Sequence, residues 1–165
     1  MPDRILGLDI GDSSLKAVQV TGGLKGFQVN ACTRVTLSPD EQLEDALRRL
    51  FEEVPLDGEV CIASFQADRI SFRNLSMPFK DKKKIGQTIG YELEPMLPFS
   101  VEALTTDYVV SEYAEETRIL SASVRQETFE QYLASLAAHH IDPDVVDVSG
   151  VPTAVQLSEQ YLHVF

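Results

Sequence analysis

The chain has 165 residues, of which 26 are acidic and 14 basic, giving a formal net charge of −12 at pH 7. Such a balance repels phosphate backbones and anionic headgroups, which argues against a general nucleic-acid-binding protein or one that sits directly on a membrane. With 44% hydrophobic and 24% charged residues, the chain has the composition of a folded domain able to bury its own core, and no stretch approaches the ~20 apolar residues of a spanning helix.

The opening residues, MPDRILGLDIGDSS, carry charges where a secretory signal would be apolar, so no signal peptide is expected. Ile5, Leu6, Leu8 and Ile10 predict a short strand buried on both faces. Gly11-Asp12-Ser13 predicts a turn, and Leu15, Ala17, Val18 and Val20 a second strand. After Thr21-Gly22-Gly23, residues 26–37 alternate loosely as a third, which makes a meander. Ser38, Pro39 and Glu41 read as N-cap, first helical position and capping box. Leu43, Ala46, Leu47, Leu50, Phe51 and Val54 then form one apolar helical stripe, ended by Pro55 and Gly58. Val60, Cys61, Ile62 and Ala63 predict the next buried strand.

The middle of the chain has a different texture. Residues 70–77 read as a strand, broken by Pro78. Lys80-Asp81-Lys82-Lys83-Lys84 opens a helix whose apolar positions are Ile85, Ile89, Leu93 and Met96, with Pro95 and Pro98 at its exit. Residues 105–113 and 117–125 read as a hairpin with its turn at 114–116. This β-α-β-β unit has the look of an inserted subdomain. Phe129, Tyr132, Leu133, Leu136 and Ala137 then mark a helix, Val145, Val146 and Val148 a strand, and Gly150 and Pro152 the start of a last helix.

Cys32 and Cys61 lie in apolar runs and are read as buried free thiols, which fits a reducing cytoplasmic compartment. His139, His140 and His163 match no metal-ligand spacing. The sharpest chemical feature is Leu8-Asp9-Ile10-Gly11-Asp12-Ser13-Ser14-Leu15-Lys16. An Asp at a strand end can orient a hydrated magnesium ion. A Gly lets an anion approach the backbone, and turn amides and hydroxyls can cradle phosphate. A following Lys can neutralise phosphate charge. The same residues are also good turn chemistry for a hairpin with no ligand. The run from Lys80 to Lys84 reads either as a solvated helix end or as a dock for an acidic partner or lipid headgroups. Met96, Leu97 and Phe99 either tuck into the subdomain or line a groove for a partner peptide.

The segment DIGDSSLK resembles the first phosphate motif of the actin-like ATPase superfamily. YELEPMLPFSVEALTTDYVV and ASLAAHHIDPDVVDVSGVPTAVQL are similar to segments of the PilM family of pilus assembly and the related GspL family of type II secretion. The resemblance covers nearly the whole chain. It implies an α/β fold of the actin-like (ASKHA, ribonuclease H-like) kind, with only the first of two lobes present. That lobe has a mixed five-stranded sheet with flanking helices plus a small inserted β-α-β-β subdomain. Residues 1–67 and 126–165 correspond to subdomain 1A and residues 68–125 to subdomain 1C.

Carried over by resemblance, Asp9, Gly11, Asp12, Ser13, Ser14 and Lys16 are the nucleotide- or phosphate-binding candidates, with Asp9 the candidate magnesium contact through water. ATP with magnesium is implied for a two-lobed protein, and no cofactor for this chain. Two departures bear on that. Asp12 stands where such families often have Ser or Thr, and no second phosphate motif or adenosine motif follows. No catalytic residue is assigned. The resemblance implies an adaptor, cytoplasmic and peripheral to the bacterial inner membrane, with the membrane touched only indirectly. It would hold the cytoplasmic tail of a PilN-like protein and couple to an assembly ATPase of the PilB or GspE type. Lys82, Lys83, Met96, Leu97 and Phe99 are the partner-binding candidates. The alternative is an actin-like ATPase or small-molecule kinase lacking its second lobe. Removing one lobe would expose apolar surface, so non-native self-association is a further expectation.

Overall fold

A computed structural model describes residues 4–23, 26–53, 57–113 and 116–162. They form two compact units, Met1–Ala67 with Leu133–Phe165, and Asp68–Tyr132. The first junction lies between Ala67 and Asp68. The second falls inside a helix, between Tyr132 and Leu133, and not ahead of that helix.

The first unit is built on five strands: β1 (Arg4–Ile10), β2 (Ser14–Gly23), β3 (Gly26–Thr36), β4 (Val60–Phe65) and β8 (Val145–Val148). Their order in the sheet is β3-β2-β1-β4-β8. β1, β2 and β3 form the antiparallel meander, whereas β1 pairs β4 and β4 pairs β8 in parallel. The sheet is therefore mixed, as the family resemblance implied. Strand alternation gives it two unlike faces. Leu6, Leu8, Ile10, Leu15, Ala17, Cys61, Ala63 and Phe65 are buried on one face. Helix α1 (Leu43–Glu53) contacts β2 and β3 and buries Ala46, Leu47 and Leu50 almost completely. Each fully buried leucine contributes roughly 1.5–3 kcal/mol. Ser135, in the second half of α3 (Gln126–Ala137), donates to Glu44 of α1 at 2.6 Å. The other face carries Asp9, Lys16, Cys32, Arg34, Ile62 and Ser64, all partly or largely exposed. Helix α4 (Val151–Leu162) follows β8.

Two sequence expectations are corrected in this unit. Ser38, Pro39 and Glu41 do not start α1, which begins at Leu43. One arm of the box forms, with the amide of Ser38 donating to Glu41 at 2.8 Å, while the Glu41 amide donates to the Ser38 carbonyl at 3.2 Å. Asp40, however, has a φ of 66°, a left-handed conformation that interrupts helical propagation, so the box closes a tight turn. Arg49 of α1 then clamps Glu41 through two hydrogen bonds of 2.9 Å. Cys32 is exposed and not buried, because β3 is an edge strand whose outward-facing residues have nothing packed on them. Cys61, on an inner strand, is buried as expected. Val54 and Pro55 lie outside the described residues, as does His163.

The second unit is a three-stranded antiparallel sheet of order β5-β7-β6, with β5 at Ser71–Met77, β6 at Leu104–Tyr113 and β7 at Glu116–Arg125. Helix α2 (Lys82–Leu93) covers one face. Ile85, Ile89 and Leu93, spaced four apart, pack on Leu75, Met77 and Ile119. Phe79, Leu97, Val101, Tyr108 and Val110 close the margin of this cluster. Asp81 caps α2 by accepting from the amide of Lys84 at 2.9 Å. Met96 does not extend the helical stripe. Pro95 ends α2 at Leu93, and Met96 falls in a 3-10 turn where it is exposed.

Candidate functional site

The β1–β2 turn sits at an open rim. Gly11 is half-buried, and Asp12 and Ser13 are exposed. The turn closes on itself, with the Gly11 amide donating to the Ser14 carbonyl at 3.1 Å and the Leu37 amide to the Ser13 carbonyl at 2.9 Å. Ser14 is buried, at 5% exposure, and pairs with Thr36 of β3, so its hydroxyl is not part of the rim. Asp12 is hydrogen-bonded to the side-chain amide of Gln66, which ties the turn to the end of β4.

Asp9 and Lys16 stand opposite each other in the β1–β2 register. The Lys16 ammonium donates to Asp9 Oδ2 at 2.7 Å, with both side chains about half exposed. The Ser64 hydroxyl donates to Asp9 Oδ1 at 3.1 Å and accepts from the Ile10 amide at 3.0 Å. Both carboxylate oxygens of Asp9 are thus engaged. Ser64 is paired in register with Asp147 of β8. Asp9, Ser64 and Asp147 therefore form a row on one face, each near the carboxyl end of one of three adjacent parallel strands. That is where open α/β sheets bind ligands. The row lies in an open groove of about 830 Å³ that also takes in Lys16, Arg34 and Gly150.

The structure thus brings Asp9 and Lys16 into the groove and leaves Gly11, Asp12 and Ser13 on the rim beside it. Sequence reasoning missed Ser64 and Asp147. Each was visible as a single polar residue near the end of an apolar run, VCIASF and VVDV. Among the described residues, no group of three or more His, Cys, Asp or Glu is placed to hold a metal ion.

The donors of the β1–β2 motif are engaged within the fold, and Arg34 is the other cation lining the groove. The Gly11 amide is spent on Ser14, the Lys16 ammonium is held by Asp9, and Asp12 adds a negative charge at the rim. A phosphate would have to compete with Asp9 for the one lysine and approach two carboxylates.

The partner-binding candidates lie in the second unit. Lys82 and Lys83 stand in the first turn of α2, whereas Met96, Leu97 and Phe99 follow its last turn. The ten helical residues from Lys84 to Leu93, about 15 Å, lie between the two groups. The five residues are therefore two surfaces and not one. Arginines hold the apolar turn in place. Arg73 donates to the Met96 carbonyl at 3.2 Å, and the Arg125 guanidinium lies 5.2 Å from the centre of the Phe99 ring. Met96 and Phe99 are each 46% exposed, whereas Leu97 packs against the core cluster.

A family model described as type IV pilus assembly protein PilM matches residues 7–163. No curated protein matches the chain. Among solved structures, the chain is similar to one described as a PilM-PilN type IV pilus biogenesis complex, with a TM-score of 0.76 and 22% identity. The match covers 87% of this chain and 47% of that one. It is also similar to the cytoplasmic domain of EpsL, an inner-membrane component of the type II secretion system of Vibrio cholerae, with a TM-score of 0.61 and 14% identity. That match covers 87% of this chain and 57% of that one. The chain thus spans about half the length of the structures it matches.

Proposed function

Because this chain belongs to the PilM family of type IV pilus assembly proteins, we propose that it is an adaptor acting by binding and not by turnover. Its ligand on this reading is the cytoplasmic tail of a PilN-like membrane protein. The reading places it in the cytoplasm, against the inner membrane only through that partner. Among the described residues no helix is long and apolar enough to cross a membrane, which is compatible with attachment through a partner. Coupling the captured tail to an assembly ATPase of the PilB or GspE type is the finer part of the same proposal.

The observation that carries the reading is the match of nearly the whole chain to the PilM family. Within the second unit, the turn at Met96 and Phe99 is the surface best suited to the tail. It presents two large apolar side chains to solvent on a backbone fixed by Arg73, so little conformational entropy is lost when a peptide docks. The test is calorimetric titration of the chain with a synthetic peptide of a PilN-type cytoplasmic tail. Saturable binding that is lost in Met96→Ser/Phe99→Ser supports the reading. A folded chain that takes up no peptide overturns it.

A further inference from the structure

We propose that the first turn of α2, carrying Lys82, Lys83 and Lys84, is a docking surface for an acidic segment of a partner protein. It lies at the other end of α2 from the Met96–Phe99 turn and stands independently of the tail-binding reading.

Residues 80–84 hold four lysines and one aspartate, a local charge of +3 in a chain of net −12. Elsewhere the described cations are largely neutralised within the fold. Arg4, Lys16, Arg48, Arg49 and Arg125 each meet a carboxylate. Lys82, Lys83 and Lys84 are exposed, and among the described residues no carboxylate lies within reach of their ammonium groups. Nor do they serve the helix. Cations in a first turn oppose the macrodipole. The cap is already made by Asp81, whose carboxylate accepts from the Lys84 amide. Three adjacent cations with an internal cost and no internal partner are complementary to an external anion.

The side chains and the surroundings define that anion. Lysines act as flexible point charges without the planar fork of arginine, which suits loosely spaced carboxylates. A bilayer is a different matter. A plane of anionic headgroups would also face the rest of a chain of net charge −12, and repulsion would offset the three lysines. A short polypeptide segment with clustered Asp or Glu touches only the first turn of α2.

The test uses the full chain and fluorescein-labelled decaglutamate, followed by anisotropy at low salt. Vesicles of phosphatidylglycerol and phosphatidylcholine are run in parallel by co-sedimentation. The variants are Lys82→Gln/Lys83→Gln/Lys84→Gln and, as a control on an isolated exposed cation, Arg69→Gln. Thermal melts followed by circular dichroism establish that both are folded. The proposal expects saturable peptide binding that weakens as salt rises. It also expects an affinity loss of about tenfold or more in the lysine variant, the summed effect of three exposed pairs, and little change in the control. Peptide binding that is absent, or equal in the lysine variant and the parent, overturns it. So does vesicle binding that depends on the three lysines.

Discussion

Asp9 and Lys16 meet at 2.7 Å across the β1–β2 register, and that contact occupies the one lysine a phosphate would need. The pair is about half exposed, so water screens it and its worth to the fold is at most about 1 kcal/mol. Lys16→Met should therefore cost little in urea denaturation. The chain should also show no saturable binding of a fluorescent ATP analogue, with or without magnesium. Tight nucleotide binding abolished by Lys16→Met would mean that the pair opens readily and that the closed turn is not the relevant state.

Thr117 presents a different case. It is 1% exposed, on the inner face of β7, and among the described residues its hydroxyl finds no hydrogen-bond partner. Nearby buried hydroxyls on that face are satisfied. Ser123 bonds Thr106 at 2.9 Å, and Ser121 donates to the Arg73 carbonyl at 3.3 Å. An orphaned buried hydroxyl costs about 1–3 kcal/mol, and valine has nearly the same shape. Thr117→Val is expected to raise stability by about 1 kcal/mol, read as a higher denaturation midpoint with unchanged slope. A loss of stability would show that the hydroxyl has a partner after all.

Two glycines should behave oppositely on conversion to alanine. A methyl group on Gly58 would lie 2.8 Å from the Leu6 amide nitrogen and 2.9 Å from the Val60 carbonyl oxygen, both backbone atoms that cannot swing aside. Gly58→Ala should cost about 2–4 kcal/mol by forcing β1 and the start of β4 apart. Gly90, inside α2, would place its methyl in open space. Gly90→Ala should stabilise by about 1 kcal/mol through helix propensity alone. Melting temperatures of the two variants check both signs.

The two cysteines predict a reactivity split. Cys32 is exposed and should alkylate with iodoacetamide in the native protein. Cys61 is buried, and burial pushes its thiol pKa up, helped by the nearby carboxylates Asp144 and Asp142. It should resist until the first unit unfolds, as peptide mass spectrometry would show. The same shift sets a pH dependence. The native thiol holds its proton when the unfolded one, near about 8.5, has released it. Its contribution to stability is full below that value and is lost as pH rises toward the native pKa. Cys61→Ala should remove that part of the alkaline loss.

Glu44 sets the opposite dependence on the acid side. The hydroxyl of Ser135, with a smaller contribution from His139, holds its carboxyl below the ordinary range. That contribution is present above the unfolded glutamate value and is lost as pH falls through the lowered native one. In acid titrations monitored by circular dichroism, Ser135→Ala should begin to unfold at a higher pH than the parent. Identical acid midpoints would contradict the assignment.

The succession of strands and helices and the β-α-β-β unit were legible because periodicity changes sharply at each boundary. Leu6, Leu8 and Ile10 alternate with period two, whereas Leu43, Ala46, Leu47 and Leu50 follow a helix. What was not legible depends on partners distant in sequence or on a backbone angle. The Ser38–Glu41 box looks the same whether a helix or a turn follows, and only the φ of Asp40 decides it. Cys32 and Cys61 both sit in strands, but Cys32 lies on an edge strand and on the uncovered face of the sheet, whereas Cys61 faces the core. Asp9 and Lys16 were named from the motif. Ser64 became part of the site only through the parallel pairing of β1 with β4, across 55 residues of sequence.

The adaptor reading is tested most directly by hydrogen–deuterium exchange of the chain with and without the PilN-type tail peptide. It predicts slowed exchange confined to the end of α2 and the turn through Met96 and Phe99, with the β1–β2 turn unchanged. Protection centred on Gly11 and the groove around Asp9, or none anywhere at saturating peptide, would contradict it.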